Sequence, residues 1–464
     1  MSKINRINST VAIIGGGMSG IKAAIDLGRA GINVVILEAK DRLGGRIINT
    51  TKKGITYDLG PSWLHDTAHN ELMPYLEKAG LKFVYHDEEP ELYGQAGLLD
   101  QEKVDWAAAK FYSAVQKEFG EDLATFSSSA SRDMSLKDYV EKYLETAELS
   151  EFERRIIPQI ARMKELWHAV GWDRISCRYL DYAEATSPDA FLLESFVKLL
   201  QPILDTLEQT PNVTTYLNAE VLKVINNAEL HGAVITKSMP KYTLVTYSGQ
   251  KFNVDYVLVT IPVMALKEMH HNLFEPRLPP SIVRAIELTD TARLGKIYVR
   301  FASPFWDVEK VAFNVCGNGQ PDGPGSHVVN FVNLYPKAKE PLLLAITAPP
   351  LTAILEEGGK AALMYLDFHF KSIQLDQSQP LPEVVDVVST HWSQDRLIKG
   401  SYSALPVDVH PVDIVDPFVI GYGNMRFAGE HTVKAASGCA HGAYQSGERE
   451  ALYIVRQELA LSRL

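Results

Sequence analysis

Cysteine is nearly absent from this chain. Its 464 residues hold three, Cys177, Cys316 and Cys439, far apart in sequence. That spacing excludes a disulfide framework and a cysteine zinc cluster, and no metal site is expected. Positive charge is not in excess either. Forty-six Lys and Arg against 57 Asp and Glu give a formal charge of −11, which argues against nucleic acid or an anionic lipid surface as partner. Long hydrophobic runs are missing too. The opening "MSKINRINST" is polar, and the most apolar late stretch, "PLLLAITAPPLTAIL", is short and holds three prolines. Neither a secretory leader nor a membrane anchor is expected.

What remains is an ordinary globular composition, 46% hydrophobic and 22% charged, in a chain long enough for two domains. Val11 to Ile14 reads as a short apolar strand, "GGGMSGIKAAIDLGRAG" as a turn entering a helix, and "NVVILE" as a second strand. This is a βαβ unit, so a parallel sheet is expected. Residues from about 80 to 200 turn to longer amphipathic pieces with a Ser-rich loop, "SSSASRD". Short β-type runs fill 213 to 262, and strands and helices mix from 272 to 415. The end, "RFAGEHTVKAASGCAHGAYQSGERE", again looks like strand, small-residue loop and helix. Two nucleotide-site patterns thus lie at opposite ends of one chain.

Gly15, Gly17 and Gly20 form G-x-G-x-x-G between that first strand and helix. The first glycine permits the tight turn, the second lets a pyrophosphate approach the backbone, and the third lets helix and strand pack closely. The helix N-terminus, with Ser19 in its first turn, offers free N–H groups to phosphates. Glu38 ends the second strand, 38 − 17 = 21 residues after the middle glycine, where a carboxylate accepts ribose hydroxyls. "EAKDRLGGRI" follows directly. A turn at Gly44-Gly45 brings Arg46 towards a pyrophosphate, an extension that a nicotinamide enzyme does not need. FAD is favoured over NAD.

The blocks "GGGMSG…EAKDRLGGR", "YDLGPSWLH", "LGKIYVRF", "HWSQDRLIKGSYS" and "FAGEHT…SGCAHGAYQSGEREA" resemble, in order and across nearly the whole chain, those of the flavin-containing amine oxidase family. "SWLHD", "ELWHAVGWD" and "CAHGAYQSGEREA" are most similar to the fungal polyamine oxidases. The resemblance implies an α/β fold in which a discontinuous Rossmann-like FAD-binding domain is interleaved with an α+β substrate-binding domain. The expected pieces are FAD-binding 1–79, substrate 80–200, FAD-binding 201–271, substrate 272–415 and FAD-binding 416–464 with a C-terminal tail. Both terminal motifs would then serve one cofactor.

It also implies roles. Val221 would meet the adenine through its backbone, Gly60 and Trp63 would lie along the cofactor, and Trp392 would pack against the flavin. Glu430 would accept from the ribityl chain, and the helix opening near Cys439 and Ala440 would face the pyrimidine edge. Lys296 would stand beside flavin N5 through a water; read alone, it is a strand lysine that snorkels to solvent. His65 would contact the substrate nitrogen; read alone, it is a satisfied polar histidine. Trp167 and Tyr402 would line the amine site, with Cys439 where monoamine oxidases have a tyrosine. Asp189 aligns approximately with a residue that approaches substrate, and a surface aspartate is the equal alternative. Pro61 departs from the alanine or serine usual in the family, which would stiffen the loop beside the flavin. Ser401 replaces the cysteine that links flavin covalently in monoamine oxidases, so the FAD is expected to be non-covalent.

The implied activity is oxidation of a secondary amine in spermine, spermidine or their N-acetyl forms by hydride transfer to flavin N5. The products are an aminoaldehyde or acetamidoaldehyde, a shorter amine and, with molecular oxygen, hydrogen peroxide. The alternatives are a non-catalytic steroid-type binder on the flavin fold, or a monoamine or L-amino-acid oxidase. The tripeptide Ser462-Arg463-Leu464 is a variant of a peroxisomal signal, so a peroxisomal import receptor is an expected partner, with the cytoplasm as the alternative address.

Overall fold

The structure is a computed structural model that describes residues 9–86, 90–120, 133–181, 186–230 and 240–461. The tripeptide 462–464 and nearly all of the Ser-rich loop lie outside the described residues.

The βαβ unit forms as its pattern requires. Thr10–Ile14, the helix Met18–Arg29 and Asn33–Leu37 follow one another, and Gly31 stops the helix with φ +83°. The two strands are parallel neighbours in a five-stranded sheet. Its order is Val213–Tyr216, Asn33–Leu37, Thr10–Ile14, Tyr256–Val259, Met425–Phe427, and every pairing is parallel. Three stretches far apart in sequence therefore build one sheet, and a single strand, Tyr256–Val259, separates the late strand from the first. Strand alternation divides the apolar side chains between two cores. Val11, Ile13, Val34, Ile36 and Leu258 face the first helix, the helix Phe196–Gln209 and the last helix, Ala440–Leu461. Ala12, Ile14, Leu37, Val257 and Val259 face the helices Val263–Leu273 and Pro280–Leu288. Burial on both faces is what a parallel sheet needs.

A seven-stranded sheet forms the second layer, in the order Val384–Ser389, Gly295–Phe301, Leu342–Thr347, Val329–Asn333, Ala312–Val315, Leu92–Gly94, Gly97–Leu98. Its pairings are antiparallel except that of Ala312–Val315 with Leu92–Gly94. The helices Gln101–Phe119, Leu136–Thr146 and Glu151–His168 bury their own cluster around Phe111, Tyr139 and Ile157. A small sheet of Trp63–Leu64, Asp189–Leu192 and Phe83–His86 completes the elements that shape the site.

Candidate active site

The glycine turn sits at the carboxyl edge of the parallel sheet. A Cβ on Gly20 would come within 2.2 Å of the Gly15 carbonyl oxygen, so only glycine lets the helix start this close to the strand. A Cβ on Gly17 would meet nothing within 4 Å. It would project into the open space that a pyrophosphate needs. No side chain caps the helix that begins at Met18, which leaves its first N–H groups free for an anion. Beyond the turn runs a cavity of about 300 Å³. Glu38 and Val221 lie at its wall, with Arg46 farther along. The Glu38 carboxylate accepts from the Gly16 N–H at 2.6 Å and the Lys40 N–H at 2.8 Å, which ties the end of the second strand to the glycine turn.

The far part of the cavity gathers residues from both ends of the chain. Glu430, 2% exposed, accepts from Arg46 at 3.0 Å, the Ser403 hydroxyl at 2.7 Å and the Gly438 N–H at 3.1 Å. Burial pushes its carboxyl up, but Arg46 opposes this, with His431 and the Ser403 bond, and the net result lies below the ordinary value. Arg46 also donates to the Ser401 carbonyl at 2.8 Å. Its guanidinium thus joins the N-terminal turn to the C-terminal block instead of standing free. Trp392 donates its indole N–H to the Leu59 carbonyl at 2.9 Å, which fixes the ring at the cavity wall.

Lys296 does not snorkel. It is 4% exposed, and its Nζ donates to the Gly60 carbonyl at 2.5 Å, the Ser62 hydroxyl at 2.7 Å and the Asp58 carbonyl at 3.3 Å. The strand Gly295–Phe301 lies beside the loop after Asp58, so the ammonium finds its acceptors there and not in bulk solvent. Burial brings its pKa down to about 7; Asp58 resists the fall and Lys337 adds to it. Trp63 lies 5.8 Å from the ammonium by its ring centre.

Next to this end opens a second cavity of about 1360 Å³. Trp63, His65, Tyr402, Cys439 and His441 line both spaces. Of the cofactor and catalytic residues read from sequence, all but Gly20 line the first cavity, while Trp167 and Asp189 line only the second. Tyr402 donates to the Trp167 carbonyl at 2.8 Å, which pins its ring across the junction, and burial raises its phenol above the ordinary value. His65 Nδ1 lies 2.6 Å from an Asp189 carboxylate oxygen, and its ring meets Trp167 edge-on at 5.3 Å. Cys439 is a free thiol pushed up to about 12 by burial, with Glu430 and Asp189 adding to the shift.

Sequence reasoning missed Ser403 and Ser62, which hold Glu430 and Lys296. It also missed His431 and His441. Both are buried at the junction and pushed down to about 4, chiefly by that burial. Single serines and a histidine within "GEHT" carry no local pattern that could mark them.

A parallel sheet with a glycine turn at its carboxyl edge, beside a cavity that adjoins a larger chamber, defines a dinucleotide-binding class of protein. The comparisons with known proteins make that class specific. Residues 18–455 match the family described as flavin containing amine oxidoreductase, and the chain belongs to it. It is 30% identical to a Candida albicans protein named corticosteroid-binding protein, over 96% of this chain and 95% of that one. It is 28% identical to polyamine oxidase 4 of Oryza sativa, over 94% and 87%. Its fold is similar to that of a redesigned putrescine oxidase, with a TM-score of 0.71 at 16% identity, over 97% and 99% of the two chains. The kinship to polyamine oxidases read from sequence therefore appears here through plant members.

Proposed function

We propose that this protein is an FAD-dependent polyamine oxidase. The observation that carries the reading is the junction itself, where the cavity fitted to a dinucleotide opens into a larger chamber between His65, Tyr402 and Cys439. FAD fits the first cavity by the chemistry of its donors: free helix N–H groups for phosphates, Glu38 for ribose, and the Arg46–Glu430 pair for the ribityl region. When bound, it supplies two-electron oxidation of the C–H bond beside an amine nitrogen and returns the electrons to molecular oxygen as hydrogen peroxide.

The chain's own residues do the rest. Tyr402, held by the Trp167 carbonyl, gives the amine an aromatic wall, and His65, which lines both cavities, meets the substrate nitrogen. Lys296 holds the 58–62 loop against the cavity and carries a proton that it releases near neutral pH. Water entering the chamber hydrolyses the imine to an aldehyde and a shorter amine. Carboxylates at the chamber, Asp66 and Asp105 among them, favour an extended polycation.

Anaerobic mixing with spermine, spermidine or their N-acetyl forms should bleach the flavin, and the same amines in air should release peroxide. Benzylamine and phenylethylamine should be far slower, because Cys439 leaves one wall of the amine site without an aromatic ring. Aryl amines reacting as fast as spermine would sink the polyamine assignment. The chamber's size and the 30% identity to a corticosteroid-binding protein favour a second reading, a steroid binder. It gains if no amine bleaches the flavin while a corticosteroid perturbs the flavin spectrum.

A further inference from the structure

We propose that His270, His271 and Glu287 form a binding site for one transition-metal ion of the zinc class, which clamps two helices of the dinucleotide-binding layer together. The inference is independent of the amine-oxidase reading, and none of the three residues lines either cavity. The scarcity of cysteine excludes a thiolate site but not one built from imidazole and carboxylate donors.

Two helices bring the donors together. Val263–Leu273 carries the histidines in its last turn, and Pro280–Leu288 carries Glu287 in its own. The first buries Val263, Leu266 and Leu273 in the core on one face of the parallel sheet, and the second buries Ile282 and Ile286 there, so the core fixes both backbones. His270 is 2% exposed, while His271 and Glu287 reach solvent. Adjacent positions on a helix point about 100° apart, so neighbouring rings ordinarily diverge. Here the two ring centres stand 3.8 Å apart. His270 Nε2 lies 2.9 Å from a Glu287 carboxylate oxygen, and one donor atom from each residue lies within 4.8 Å of the other two.

That spacing fits a metal ion. Zinc–ligand bonds of about 2.1 Å at tetrahedral angles set donor atoms about 3.4 Å apart. The His270–Glu287 pair already stands inside that distance, and the longest separation has to close by no more than about 1.4 Å. Only the exposed His271 ring and Glu287 carboxylate need to turn. The ion takes the place of the proton between Nε2 and the carboxylate, and water fills the open position. Two imidazoles with one carboxylate favour zinc-class ions over magnesium and calcium, which take oxygen donors.

The local field favours a cation as well. A helix C-terminus carries partial negative charge, so a carboxylate in a last turn is disfavoured unless a cation joins it. At this place two C-terminal turns and a carboxylate converge. The Lys267 ammonium, one turn before the histidines, donates to the Glu287 backbone carbonyl at 3.1 Å. Among the described residues the Glu287 carboxylate has His270 as its only ion-pair partner.

The test uses the flavin-loaded protein, freed of metal with a chelator, as wild type, His271→Ala and Glu287→Gln. Both changes fall at exposed positions outside the cavities, so the variants keep the core intact. Isothermal titration with zinc comes first. We expect one ion per chain in wild type and at least a 10-fold weaker affinity in each variant, since losing even the hydrogen-bond partner of a metal ligand costs about 10- to 100-fold. Histidine-selective NMR should show the His270 and His271 ring signals shifting together as zinc is added to wild type. Saturating zinc should raise the thermal unfolding midpoint of wild type more than that of either variant, because an ion that binds only the folded state stabilises it. Magnesium should do none of these things. Zinc binding of equal strength in wild type and both variants would put the ion elsewhere and overturn the site. Loss of affinity in only one variant, or no binding to wild type at millimolar zinc, would overturn it too. Failure of every amine to reduce the flavin would sink the oxidase reading and leave this result standing.

Discussion

Replacing Lys296 with methionine tests the buried cation in a way that does not depend on turnover. In the unfolded chain this lysine titrates near 10.5; in the folded protein burial brings it to about 7. Between these values the unfolded state holds a proton that the folded state has released, so stability must rise with pH across that window. The penalty for burying the charge is fully present below about pH 7 and gone above about pH 10.5. At about 1.4 kcal/mol per pKa unit, the separation amounts to roughly 5 kcal/mol over the whole window. Methionine keeps the apolar stem and removes the proton. It also removes the ammonium donor to the Gly60 carbonyl and the Ser62 hydroxyl, a cost of about 1–3 kcal/mol per group that does not vary with pH, whereas the Asp58 carbonyl keeps the Tyr298 hydroxyl at 2.7 Å. The signature is therefore a slope. Urea unfolding of flavin-free wild type and Lys296→Met from pH 7 to 10 should give free energies that diverge by about 1.4 kcal/mol per pH unit, the wild type gaining. Parallel curves would mean that Lys296 titrates normally and that the burial argument is wrong.

Three further outcomes are expected. Acid precipitation of the holoprotein should leave the yellow colour in the supernatant, since Ser401 stands where a linking cysteine would be; colour retained in the pellet after proteolysis would contradict a non-covalent FAD. Gly60→Ala should lower the unfolding midpoint and the flavin content together, because a Cβ there would come within 2.0 Å of the Arg46 carbonyl oxygen, and such overpacking costs about 1–3 kcal/mol; full flavin occupancy with an unchanged midpoint would show that the loop yields. Tyr402→Phe should keep the ring but remove its bond to the Trp167 carbonyl, at a net cost of about 0.5–1.5 kcal/mol, and should slow flavin reduction by spermine; an unchanged unfolding midpoint and rate would remove that bond from the site.

The parts of this protein that were legible in its sequence are the local ones. The βαβ unit announces itself because strand alternation, helix periodicity and glycine spacing all act within about 30 residues. Glu38 is placed by the same short-range geometry. The late "RFAGEHT" block suggested a second nucleotide segment for the same reason. Only the tertiary structure decided that it enters the same sheet, as the strand Met425–Phe427 beside Tyr256–Val259. It also decided which partner each polar side chain found. Lys296 reads locally as a strand lysine bound for solvent. Its acceptors lie at positions 58, 60 and 62, more than 230 residues earlier, on a loop that lies beside its strand. Arg46 and Glu430 are 384 residues apart and meet at 3.0 Å. His65 and Asp189 face each other because an antiparallel register aligned two short strands, and neither residue carries a pattern that names the other. The physical reason is range: backbone geometry and periodicity are set by neighbours in sequence, whereas burial, desolvation and charge pairing are set by neighbours in space.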